Sequence, residues 1–251
     1  MEIVNILFLV LSVFLGGFIV VFLKNKSQDK TIKLFLSFSG GFLLSIAFIH
    51  FIPEIYTKHE FGIGYYILLG FLIQLFLEYF SGGIEHGHIH AKSGGAMQWG
   101  LFISLSLHSF IEGIPLTAEA HQLIGDVEHI HSHAHMHDNH SGLNTLLLGI
   151  VLHKIPVAIA LMTLLLSSGF KQKKAWVVLA AFSVMAPLGM LFGNYGFPEI
   201  GIDLDIILAV VVGMFLHIST TIIFESSENH KFNFVKLLSL LAGVILSILV
   251  H

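Results

Sequence analysis

Two apolar runs are interrupted by ionisable residues at matching places: "LHSFIEGIPL", residues 107–116, holds His108 and Glu112, and "LHKIPVAIAL", residues 152–161, holds His153 and Lys154. The i, i+4 spacing stacks His108 and Glu112 on one helix face, so both reach a single point. Imidazole with carboxylate suits Zn²⁺ or another first-row divalent cation. Each run also contains a proline. Pro115 removes the hydrogen bond that the carbonyl of Ile111 would accept, and Pro156 does the same to Leu152. In hydrocarbon such carbonyls are tolerated beside a cavity, water or an ion, so the prolines mark a polar centre.

The elements that must position these residues follow from composition. The chain is 55% hydrophobic and 11% charged, against about 25% charged in soluble domains. Eight apolar segments reach the roughly 20 residues needed to cross a bilayer: about 3–23, 34–54, 61–81, 97–118, 142–168, 175–195, 206–225 and 232–250. They are continuous and carry Gly and Pro, whereas barrel strands would alternate in shorter pieces. The expected fold is therefore all-α, a single polytopic membrane domain over residues 1–251 with an external loop at 119–141. Gly and Ser in these segments would permit close sliding contacts, although ordinary packing accounts for them equally well. The first segment lacks the basic start and small-residue cleavage site of a signal peptide and is read as a mature helix. Without cysteine there can be no disulfide.

All twelve basic residues are lysines, and ten of them follow the first, third, fifth and seventh segments, from Lys24 to Lys236. The positive-inside rule makes those connections cytoplasmic and puts both termini outside. Further ionisable residues lie within the segments: His50 and Glu54 in the second, Glu78 in the third, His217 in the seventh. Each costs at least about 2.5–3.5 kcal/mol to insert, which makes it a functional candidate. For Glu78 and His217 an ordinary interhelical hydrogen bond is an equal explanation.

These runs resemble the paired signature helices of the ZIP (Zrt/Irt-like) metal transporters, with H-S-x-x-E-G and H-K-x-P variants of the motifs. "SGGFLLSIAFIHFIPE" and "GFLIQLFLEYFSGG" are similar to that family's second and third helices. The resemblance implies that His108, Glu112 and His153 bind the transported ion, and that helices 1, 4, 5 and 6 move against 2, 3, 7 and 8. Two-metal members carry an Asn, an acid and a Glu where this chain has Ser109, Lys154 and Val157. An ammonium about 4 Å from Glu112 would gain roughly 4 kcal/mol of Coulomb attraction at an effective dielectric of 20, before desolvation. Lys154, with Ser109 beside it, is thus expected to substitute for a second ion and leave a mononuclear site. His50 and Glu54 are expected to form the entrance.

Histidine tracts flank this centre in sequence. Residues 121–140 contain His121, His129, His131, His133, His135, His137 and His140, expected outside, and His86, His88 and His90 are expected in the cytoplasmic loop. Such tracts are compositional metal-binding signals. The function expected is import of divalent transition metal, zinc first, with Fe²⁺, Mn²⁺, Co²⁺ and Cd²⁺ open as substrates and no organic cofactor. The expected partners are the ion and the lipid bilayer, with homodimerisation left open. Lysines spread over several loops exclude a nucleic-acid footprint. The expected location is the plasma membrane, the inner membrane of a bacterium. An intramembrane zinc hydrolase is the rival, because two histidines, a glutamate and an open position are also a catalytic set. It would need a further acid or base, and the chain has no H-E-x-x-H. A sensor that binds without transporting is a third reading. Deleting residues 127–140 is expected to raise the half-saturating metal concentration for uptake while preserving maximal flux; complete loss of flux in a folded deletion would contradict a collecting role.

Overall fold

The structure is a computed structural model that describes residues 2–22, 28–58, 62–81, 95–117, 141–196, 201, 203–225 and 234–250. Among these there is no strand. The helices are α1 (Glu2–Phe22), α2 (Gln28–Ile46), α3 (Ile52–Lys58), α4 (Ile63–Ser81), α5 (Gly95–Gly113), α6 (Ser141–Ser167), α7 (Gln172–Ser183), α8 (Met185–Tyr195), α9 (Leu204–Glu225) and α10 (Phe234–Val250). Among the described residues seven helical stretches are long and apolar enough to cross a membrane, and α10, with 17 residues, is a shorter apolar helix. Large apolar side chains such as Phe8, Phe18, Phe76 and Ile245 point outward. A water-facing surface would not hold so many, whereas lipid would. The chain is an all-α polytopic membrane protein.

Four of the five prolines shape the spans. A π-helical turn, Ala47–Phe51, joins α2 to α3 just before Pro53, which has no N–H to give. Pro115 sits in the 3₁₀ turn Ile114–Thr117 that ends α5. Pro156 lies inside α6. Pro187 cannot donate to the Ser183 carbonyl, and there α7 gives way to α8. Prolines thus interrupt or end the regular helix in the second, fourth and sixth spans, whereas α6 runs through Pro156 unbroken.

The seven spans and α10 pack as two groups of four. In one, α1 lies on α6 and α7, and α5 on α8; in the other, α2 lies on α10 and α9, and α9 on α4. The groups meet where α2 faces α6 and α4 faces α5. Glycines set the closest contacts inside each group. A Cβ on Gly70 would fall 1.9 Å from the Val210 carbonyl oxygen, and one on Gly213 1.9 Å from that of Ile67, so α4 and α9 touch backbone to backbone. Gly41 with Gly243 does the same for α2 and α10, and Gly113 with Gly189 for α5 and α8. Between the groups the approach is looser: Gly100 would meet the Phe80 carbonyl oxygen at 3.0 Å, and Gly149 faces the tip of the Ile46 side chain.

Two apolar clusters fill the interior. One gathers Phe42, Ile46, Phe51, Leu116, Leu146, Ile150 and Phe215, and the other Leu101, Leu105, Val157, Leu161, Leu179 and Ile218. Residues 108–112 and 153–154 fall between them in sequence and in space, as does His217. Gly213→Ala should lower stability by about 1–3 kcal/mol, because neither backbone can yield. Gly149→Ala, which needs only the Ile46 methyl to move, should change it much less. Unfolding midpoints in detergent distinguish the two, and equal midpoints would contradict the packing scheme.

Candidate functional site

The polar layer is built on α5 and α6, both in the same group. His108 and Glu112 stand one turn apart on α5, with Nε2 and Oε2 3.2 Å from each other. They are 3% and 1% exposed. An ionised carboxylate so deeply buried needs a partner, since its desolvation costs several kcal/mol. Lys154, projecting from α6, supplies it: Nζ donates to Glu112 Oε1 and, at 2.7 Å, to Ser109 Oγ. The ammonium also lies 5.6 Å from the centre of the Phe182 ring, where the π face attracts a cation.

His153, one residue before Lys154, presents its ring edge to face against His108, with centroids 5.9 Å apart. The structure therefore brings His108, Glu112, Ser109 and Lys154 into direct contact and sets His153 against the imidazole side of the group. Among the described residues no three His, Cys, Asp or Glu side chains are close enough together to clasp one ion. Val157, one turn beyond His153, is buried in the second apolar cluster, so hydrocarbon occupies that position.

Two residues missing from the sequence reading complete the surroundings. Gln74 of α4, fully buried, places Oε1 3.0 Å from His108 Nδ1. Its signal was available: an amide in an apolar run, four residues before Glu78. Phe182 carried no such signal, because one more phenylalanine in an apolar span is unremarked. Glu78 itself pairs with His217 Nε2, joining α4 to α9, and Phe71 packs edge to face on that ring.

His50 lies in the π-helical turn, with Nε2 3.8 Å from Glu54 Oε2. Glu54 also receives Lys58 at 3.0 Å, and Lys58 reaches Asp205 of α9 at 3.5 Å. Neither Lys58 nor Asp205 was singled out in the sequence, since their meeting depends on how α3 lies against α9. His86, His88 and His90, and His129, His131, His133, His135 and His137, with His121 and His140, lie outside the described residues.

The family model described as ZIP zinc transporter matches residues 82–251, and the chain belongs to that family. Its members move divalent metal ions across membranes and are transporters rather than enzymes. The function of the chain is accordingly divalent metal ion transport by an integral membrane protein. Among curated proteins none matches the chain in sequence.

If the ammonium is the counter-charge of Glu112, Lys154→Met should cost about 3–5 kcal/mol of stability in chelator, by leaving a buried charge unpaired. Adding Glu112→Gln should recover most of the loss. Thermal unfolding of the parent, single and double variants provides the check, and a single variant as stable as the parent would contradict the pairing.

Proposed function

We propose that the chain imports divalent first-row ions, zinc foremost, through a mononuclear site made by His108, Glu112 and His153. The observation that supports this best is Glu112 held between His108 and Lys154 in a layer with hydrocarbon on both sides. The carboxylate is ionised by design, because an ammonium stands against it. A single ion between the imidazoles and Glu112 would find three donors of the kind zinc prefers, and a ligand set short of four exchanges its cargo more readily than a closed one. Lys154 stands where a second ion would require a carboxylate and repels one instead. His153, edge to face against His108, has to swing towards Glu112 for all three donors to meet.

The remaining readings are consistent with this centre. His50 and Glu54 form the entrance, in a π-helical turn that distorts the helix at that place. Both termini and the loop containing His129, His131, His133, His135 and His137 are outside, and His86, His88 and His90 receive the ion in the cytoplasm. The membrane is the plasma membrane. Closer glycine-mediated backbone contact within each four-span group than between them favours movement of the groups as bodies.

Uptake of Zn²⁺ into proteoliposomes should be largely lost in His108→Ala, Glu112→Gln and His153→Ala. Anomalous scattering from zinc-soaked crystals should show one ion at this centre, and two when Lys154→Asp is combined with Val157→Glu. Undiminished uptake by the variants, or two ions at the centre of the unaltered protein, would overturn the reading.

A further inference from the structure

We infer that Gln74 is a positioning residue for the transport site: from the opposite four-span group it holds the His108 ring with its proton on Nδ1 and its Nε2 lone pair turned towards Glu112. The inference rests on the proposed transport site for its functional consequence, but the orientation itself stands on geometry.

Gln74, within α4, has none of its surface exposed. A buried amide without a partner loses several kcal/mol relative to water, so its placement has to be matched by a hydrogen bond. The match is His108 Nδ1 at 3.0 Å from the amide oxygen. That oxygen can only accept, so the ring must donate from Nδ1. The other nitrogen, Nε2, lies 3.2 Å from Glu112 Oε2, yet neither atom makes a hydrogen bond. A ring protonated at Nε2 would be expected to donate to so near a carboxylate. The arrangement instead suits a lone pair on Nε2 beside a lone pair on Oε2, two donors that repel each other until a cation lies between them. Metal-binding histidines characteristically give their second ring N–H to a carbonyl or carboxylate, which fixes the tautomer and raises the basicity of the ligating nitrogen.

The location of Gln74 adds a consequence. His108, Glu112, His153 and Lys154 all belong to the group containing α5 and α6, whereas α4 packs with α9 in the other. One turn away along the same seam, Ser104 of α5 donates to the Leu77 carbonyl of α4 at 2.7 Å. Any displacement of one group past the other separates the amide oxygen from the ring. The orientation of His108, and with it the affinity of the site, then depends on the register between the groups.

The test uses the full chain in nanodiscs, with ¹⁵N-labelled histidine and the His108 signals assigned by their loss in His108→Ala. In metal-free protein His108 should show the tautomer protonated on Nδ1. Gln74→Leu should abolish that preference and weaken Zn²⁺ binding at the centre by roughly 10–100-fold. Gln74→Glu, which keeps the acceptor, should retain the tautomer and bind Zn²⁺ within a few-fold of the parent. Should the leucine variant not fold, Gln74→Asn, too short to reach the ring, replaces it. A parent ring protonated on Nε2 or on both nitrogens overturns the inference, as does Gln74→Leu with unchanged tautomer and affinity. If the parent binds no Zn²⁺ at this centre the transport reading fails, while the ring signals still decide what Gln74 does.

Discussion

An ionised carboxylate cannot be left alone in hydrocarbon, and the interior of this protein is arranged around meeting that constraint at Glu112. One oxygen takes the ammonium of Lys154 and the other faces His108. The ammonium has to arrive from the neighbouring helix, while the imidazole, one turn away on the same helix, leaves the oxygen it faces open to a cation. Pro115, in the 3₁₀ turn that ends α5, and Pro156, inside α6, lie on the two helices that supply these side chains. The apolar clusters on either side strengthen the pairing by keeping water away, since charges attract more strongly where the dielectric is low.

Glycine use divides the molecule along the same seam. At three helix pairs within the groups, α4 with α9, α2 with α10 and α5 with α8, the glycines are reciprocal and the opposing atoms are carbonyl oxygens, which cannot move aside. Where the groups meet, the contacts are looser or involve the end of a flexible side chain. The sequence allowed glycine to be read as lubrication for sliding. In the structure its tightest contacts are instead within the groups, as clamps. Polar ties across the seam include the hydrogen bonds of Gln74 with His108 and of Ser104 to the Leu77 carbonyl.

Membership of the all-α membrane class was legible because apolar length and a scarcity of charge are properties of the chain alone. The contact between Glu112 and His108 was legible for a related reason, as an i, i+4 pair needs only a helix. The pairing of Lys154 with Glu112 needed more: it came from the resemblance between two motifs, and its partner Ser109 was noted only as a departure from a pattern. Gln74, Phe182, Lys58 and Asp205 were not legible as parts of these constellations. Apart from the i, i+4 contact of Lys58 with Glu54, each meets its partner from another helix, and helix rotation about its axis decides that meeting. Local spacing contains no information on it. The histidine tracts are the reverse case, conspicuous in sequence and lying outside the described residues.

A tethered ammonium also determines how the electric field across the membrane would act on the proposed carrier. With Glu112 and Lys154 of opposite sign, the vacant centre has no net charge, and a divalent passenger raises it by two. At about 2.3 kcal/mol per elementary charge for each 100 mV, a negative cell interior would favour the loaded passage inward and leave the vacant return almost indifferent to voltage. A centre lined by two carboxylates would place that force on the vacant return instead, so in the proposed carrier the lysine would decide which step senses the voltage.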